Sequence, residues 1–302
     1  MSTDKEPDEV FCRSCGEPIK EQAEICPECG VRNTARNGPE RGGIDIERAL
    51  RTGFERTKRR VGLLLVAVFF VVQLISTIAS QSSAARAMER MGGMEELPPL
   101  LQDTILQSSI EPGPLAFELP QSLITLMSLA TTVGGLVVGI VAYRAFAADA
   151  REKIPEEAYK RNIGMATLNS VVAGFVFSVL VVVGFLFLII PGIYLLTSLV
   201  FFLIFIALED DNFLESLSSS WELTKRRRMS VFLLLVALLV VQVAVGVVGF
   251  VASSVASAVL PQLGAVVDVA VGAALAVYSL AVLTDAYLQL KGNRHSTEEP
   301  PV

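Results

Sequence analysis

Four stretches of this chain carry no charged side chain, at residues 61–85, 119–143, 162–208 and 229–267. A helix needs about 20 consecutive apolar residues to cross bilayer hydrocarbon, so the first two stretches fit one crossing each. The third and fourth are too long for one. The third is interrupted by "IIPGIY" at 189–194, where Pro191-Gly192 predicts a tight turn between antiparallel spans. The fourth divides near Pro261, and its second half continues as a span to about Leu288. The pattern predicts an all-α membrane domain over 44–290 with six transmembrane helices.

Two polar flanks of these runs have helical rather than continuous apolarity. Ahead of the first span, Ile46, Ala49, Leu50, Gly53 and Phe54 fall on one side and Asp45, Glu47, Arg48, Arg51 and Glu55 on the other. Ahead of the fifth, Phe213, Leu214, Leu217 and Trp221 make a similar face. Both segments predict juxtamembrane amphipathic helices, and both end alike, "FERTKRR" at 54–60 and "WELTKRR" at 221–227. Each precedes a span running the same way, so a true repeat would be of the parallel kind. Basic clusters before spans that run outward are also common without duplication. Either way Lys58, Arg59 and Arg60, and Lys225, Arg226, Arg227 and Arg228, are placed to attract anionic lipid headgroups.

Basic residues set the expected orientation. They gather before the first span, at 144–161, at 225–228 and at Lys291 and Arg294, whereas the loop 81–118 holds only Arg86 and Arg90. By the positive-inside rule both termini are cytoplasmic and the protein is a multi-pass protein of the cell membrane. The first apolar run is too long and begins too late for a signal peptide. Composition agrees with a membrane class, at 52% hydrophobic and a net charge of −6.

Charge and cysteine spacing set the N-terminus apart. All four cysteines lie in "FCRSCGEPIKEQAEICPECG" at 11–30, as Cys12-x2-Cys15 and Cys26-x2-Cys29. Two residues between thiolates let one turn aim both sulfurs at one ion, and Gly16 and Gly30 after each pair can take the positive φ such a turn needs. Four thiolates close a tetrahedral shell with no open position, which predicts one structural Zn2+ and no catalytic metal. A disulfide framework would need an oxidising compartment, and a thioredoxin-like site would need a βαβ unit. The stretch 11–33 resembles the zinc-ribbon family. Residues 1–10 read as a disordered N-terminus, 34–43 as a flexible linker and 291–302 as a disordered tail. Acids outnumber bases around the ribbon, which weighs against nucleic acid and favours a cytoplasmic protein partner.

A second resemblance lies in "IIPGIYLLTSLVFFLIFIALEDDNFLESLSSSWELTKRRRMSVFLLL" at 189–235. It is similar to the membrane domain attached to some glycerophosphodiester phosphodiesterases and to that domain's uncharacterised multi-pass relatives, over roughly 44–290. The resemblance implies a membrane fold and no activity, because the phosphodiesterase catalytic domain is absent from this sequence.

Catalytic chemistry is sparse. No His-Glu-x-x-His, paired intramembrane carboxylates or Ser/His/Asp set can be assembled, and the sole histidine, His295, lies in the polar tail. Asp268 is the leading candidate for a working acid, near the outer start of the sixth span, and Asp285 is expected near the cytoplasmic end beside Lys291. Gln73, Asn169 and Gln242 are candidates for bonds between helices, and Gly135-x3-Gly139 for close helix approach or a homo-oligomer contact. The expected function is a non-enzymatic scaffold or regulator at the membrane, with the ribbon as its interaction module. The alternative is a transporter or channel for a small or lipid-like substrate.

Overall fold

The computed structural model describes residues 9–12, 14–20, 25–31, 43–91 and 113–298, with side chains at 9, 10, 88–91 and 293–298 excepted. Nearly all of the predicted N-terminal segment and linker, most of the outer loop, residues 299–302 and the His295 side chain lie outside what is described. The chain forms two compact units, one up to Gly43 and one from Ile44 onward. In the first, β1 (Glu9–Phe11) and β2 (Pro18–Lys20) pair antiparallel, with Val10 opposite Ile19.

The second unit is helical: α1 (Ile46–Lys58), α2 (Arg60–Met91), α3 (Gln121–Ala147), α4 (Glu156–Lys160), α5 (Ile163–Phe187), α6 (Ile189–Leu199), α7 (Phe202–Glu209), α8 (Phe213–Thr224), α9 (Arg228–Val259) and α10 (Pro261–Glu298). Six segments have the length and apolarity to cross a membrane, α6 and α7 together making the fourth. Their large apolar side chains are widely exposed, as a lipid-facing surface requires. The helix α10 runs through 291–298, into the segment read from sequence as a disordered tail.

The turn between the third and fourth long helices is not at Pro191-Gly192. It is at Leu188, whose φ of −167° and ψ of 152° interrupt the helix, and Pro191 falls in the first turn of α6. There its missing N–H breaks no helical bond. Gly192 serves a close approach instead: a Cβ built on Gly184 would lie 3.0 Å from the Gly192 Cα. Near Pro261 the expectation holds, with Leu260 extended and the proline opening α10.

Both amphipathic helices form, and Ile46, Ala49, Leu50, Gly53, Phe213 and Leu217 of their apolar faces pack inward, joined by charged and hydroxyl residues that the pattern did not mark. On α1 the buried residues are Ala49, Gly53 and Arg56, packed on α10, while Phe54 is exposed beneath Lys58. On α8 they are Ser216, Ser220, Leu223 and Thr224, while Leu214 is 63% exposed. The hydroxyl face of α8 turns inward because it serves a break in the fourth long helix, at Val200–Phe201. The Ser220 and Thr224 hydroxyls each donate to the Ser198 carbonyl at 3.1 Å, and the Phe201 N–H donates to Ser220 Oγ at 3.2 Å. These backbone groups are left over where one helix stops and the next starts, and no water would reach them in this core.

The substitution Ser220→Ala strands the Phe201 N–H. We expect it to lower unfolding stability in detergent by about 1–3 kcal/mol, the range for a buried polar group losing its partner. Ser218→Ala, at an exposed position on the same helix, should leave the thermal midpoint unchanged.

Candidate metal centre and the polar clasps of the membrane domain

The two cysteine turns are built alike. The Gly16 N–H donates to the Cys12 carbonyl and the Gly30 N–H to the Cys26 carbonyl, each at 2.9 Å. Each turn closes with a second bond, from Cys12 N–H to the Glu17 carbonyl and from Cys26 N–H to the Val31 carbonyl. Gly16 and Gly30 have φ of 76° and 68°, the left-handed conformation expected of them. Both turns thereby direct their sulfurs to one point. Cys12 Sγ stands 3.5 Å from Cys29 Sγ, Cys15 Sγ stands 3.6 Å from Cys26 Sγ, and all four lie within 4.8 Å of one another.

Thiolates about 2.3 Å from a tetrahedral ion are about 3.8 Å apart, so the four sulfurs fit a metal. The cysteines are free and too far apart for sulfur–sulfur bonds. Backbone N–H groups of Cys15 and Ser14 favour the Cys12 thiolate and lower its pKa to about 6. Against the Glu17 N–H, burial and the neighbouring sulfurs push Cys15 up to about 12. Crowded thiols resist full ionisation until a cation joins them.

In the membrane unit the buried ionisable residues are grouped at the end of the bundle that carries the basic clusters. Arg144, buried near the end of α3, is the centre of one group. Its Nε donates to the Ala207 carbonyl at 2.6 Å, Nη1 to the carbonyls of Arg161 and Ala158 at 2.5 and 3.3 Å, and Nη2 to Asp210 at 3.2 Å. Arg161 adds a bond to the Leu208 carbonyl at 2.7 Å and an ion pair with Asp210 at 2.9 Å. The two arginines thus close the C-terminal end of α7, where free carbonyls and the helix dipole favour cations. Asp210, left-handed at φ 58°, turns the chain into α8.

A second group joins α1 to α10. Asp285 is 4% exposed and lies 3.7 Å from Arg56, not beside Lys291 as the sequence reading had it. Lys291 instead reaches Glu209 at 2.7 Å, and Glu209 also accepts from the Tyr287 hydroxyl. Gln289 donates to Asp285 and accepts from the Asp45 N–H, each at 2.8 Å, fastening the start of α1. Asp149 lies 3.8 Å from Arg56, 2.5 Å from Arg59 and 3.1 Å from Arg151. Burial lowers the Arg56 pKa, opposed by Asp285 and Asp149. At Asp149 burial acts to raise the pKa, but hydrogen bonds from Arg59 and Arg151 outweigh it and hold the carboxyl below its usual range.

The remaining candidates are scattered. Asp268 is exposed at the opposite end, lining a cavity of about 460 Å³ with Gln73, Thr77, Gln81 and Ser257. Gln242 bonds Ser279 across α9 and α10 at 3.2 Å, as expected of it. Gly135 and Gly139 allow no unusually close helix approach within the chain: a Cβ on Gly135 would meet Val72 of α2 at an ordinary 3.9 Å, one on Gly139 would meet nothing within 4 Å, and both glycines line an apolar cavity of about 280 Å³. Sequence reasoning missed the Arg144 group because Arg144 reads as one more basic residue after a span. The only signal was that the next charge-free run, from 162 to 208, ends in Glu209-Asp210 and so returns two acids to the side of the bundle where Arg144 and Arg161 lie.

A family model described as "Domain of unknown function (DUF7847)" matches residues 44–290, and the chain belongs to that family. No curated protein and no solved structure matches the chain.

Two outcomes are expected. Purified protein holds one metal ion per chain by elemental analysis, and Cys26→Ser loses it while the helical unit still inserts. Asp149, with its lowered folded pKa, contributes stability that is present above the ordinary carboxylate value of about 4 and lost as pH falls through the folded value. The thermal midpoint in detergent should fall on acidification below about pH 4, and Asp149→Asn should reduce that dependence.

Proposed function

We propose that this protein is a non-enzymatic membrane scaffold or regulator whose N-terminal unit is a zinc ribbon that holds one structural Zn2+ and recruits a protein partner. The observation that carries this reading is the set of four converging sulfurs in a unit separate from the helices. A four-thiolate shell suits Zn2+ and leaves no ligand position for substrate, so the metal serves folding of a module too short for its own core. The acids around the cysteines suit a basic protein surface better than nucleic acid.

The excess of Lys and Arg at one end of the bundle supports a cell-membrane protein with both termini in the cytoplasm. Lys58 to Arg60 and Lys225 to Arg228 then face anionic headgroups of the inner leaflet. A non-enzymatic reading is supported by the buried charges, which serve backbone carbonyls and ion pairs between helices. Kinship of 189–235 with the membrane domain of glycerophosphodiester phosphodiesterases would bear on fold only and bring no activity with it.

A second reading, transport of a small or lipid-like substrate, rests on the polar cavity at Asp268. The two readings part in a crosslinking pull-down from native membranes, comparing the whole protein with a chain that begins at Ile44. Partners lost with residues 1–43 support recruitment. An identical partner set overturns it, and substrate-dependent flux abolished by Asp268→Asn would establish the second reading in its place.

A further inference from the structure

The pair α5 and α6 has the apolarity of two spans, but only α5, with 25 residues, has the length of one, whereas α6 has 11. The Tyr194 ring, on α6, lies 5.4 Å from the Trp221 ring, and the Arg228 guanidinium sits 4.3 Å from the first and 4.6 Å from the second. Arg228 ends the run Lys225–Arg228, whose first two members are exposed. Four successive cations do not lie in hydrocarbon, and Trp and Tyr gather at its edge.

The pairing of α9 with α10 supplies an independent ruler. Gln242 bonds Ser279, and from there Asp285, already in the charged layer with Arg56, is about 9 Å of helical rise away. Arg228 is about 21 Å from Gln242 in the same direction, so its backbone lies at or beyond that layer. Tyr194 therefore marks the headgroup level. The turn at Leu188 is only about 9 Å of rise further on, against hydrocarbon about 30 Å thick.

The tip is also too apolar to emerge into water. Residues 179–193 contain no polar side chain, and Leu186, Phe187, Leu188, Ile189 and Ile190 are 67–78% exposed. The turn between α9 and α10 differs: Ser253, Ser254, Ser257 and Gln262 surround it. Although Leu188 is extended, its own N–H and carbonyl are both bonded within the turn, as lipid demands. The Leu188 N–H donates to the Gly184 carbonyl at 3.2 Å, its own carbonyl accepts from Gly192 at 3.5 Å, and Pro191 has no N–H to satisfy.

We propose that α5 and α6 form a wedge that enters the bilayer from the face carrying Lys225–Arg228 and ends among the acyl chains of that leaflet. The partner of the exposed tip is lipid, and α2, α3, α9 and α10 are the helices that cross. Tyr194, Trp221 and Arg228 set the depth of the wedge, and the break at Val200–Phe201 lets α6 depart from the line of α7.

Trp221 is the chain's one tryptophan, so its fluorescence reports a single depth. In the full-length protein in vesicles with lipids brominated at graded depths, Trp221 should be quenched best by probes near the headgroups. The sole tryptophan is then moved, in a Trp221→Phe background, to the tip as Phe187→Trp or Leu188→Trp, and to the other turn as Gln262→Trp. The wedge gives deep quenching at the tip and shallow quenching at 262. A membrane-impermeant maleimide that reaches Gln262→Cys from its face should leave Leu188→Cys unlabelled above the native cysteines. Shallow quenching at both tip positions, or labelling of Leu188→Cys from the Gln262 face, overturns the proposal.

Discussion

A backbone carbonyl or N–H placed in hydrocarbon has no water to bond, and every departure from continuous helix in this membrane unit is governed by that constraint. At the end of α7 the side chains of Arg144 and Arg161 supply donors to the carbonyls of Ala207 and Leu208. At the break before α7 the hydroxyls of α8 supply both a donor and an acceptor. The polar residues of the bundle are where the backbone needs them. A buried arginine is costly unless its charge and its donors are matched, and Asp210 with three carbonyls does this for Arg144.

That same constraint explains which features could be read from the sequence. Long charge-free runs and the spacing of Cys12, Cys15, Cys26 and Cys29 are local signals, and positive φ at Gly16 and Gly30 followed from the turn each thiolate pair requires. The inward faces of α1 and α8 are only partly local. Apolar periodicity put Phe54 and Leu214 on faces that lie at the membrane surface, but it carries no signal for the small, hydroxyl and charged residues that pack against the bundle. Where an outward side chain meets lipid or the interface, an exposed Leu214 costs little, and inward hydroxyls are favoured wherever unpaired backbone awaits them. The turn at Leu188 escaped for a related reason. Proline and glycine mark turns in water, whereas here they fit the first turn and the tight face of a new helix.

The two amphipathic helices bear on the internal likeness of the sequence. Aligning "FERTKRR" with "WELTKRR" places Ala49 over Ser216, Gly53 over Ser220 and Arg56 over Leu223, and all six are buried. Small residues occupy the first two positions of each helix, where its axis approaches a neighbour closely. A shared basic cluster can arise by chance before any span. A shared register of inward positions is harder to obtain that way, because the neighbours differ, α10 for α1 and the pair α6 and α7 for α8.

If the likeness is a duplication, each copy is an amphipathic helix followed by a pair of antiparallel long helices, α1 with α2 and α3, and α8 with α9 and α10. What remains between the copies is the short α4 and then α5 to α7, and these three leave and re-enter at Arg161 and Asp210, two residues held 2.9 Å apart. An insertion whose ends meet on one face does not disturb the sidedness of the flanking spans, whether or not it crosses. It is therefore free to be shallow. Its α7 is the buried floor that α3, α8 and α10 share, and α6 packs on α5 through Gly184 and Gly192 but is tied to α8 and α9 only at its base, through Ser198 and Tyr194. The part of the domain with the fewest protein partners is thus the part most exposed to lipid, as expected of an element added to a bundle already closed by its two helical pairs.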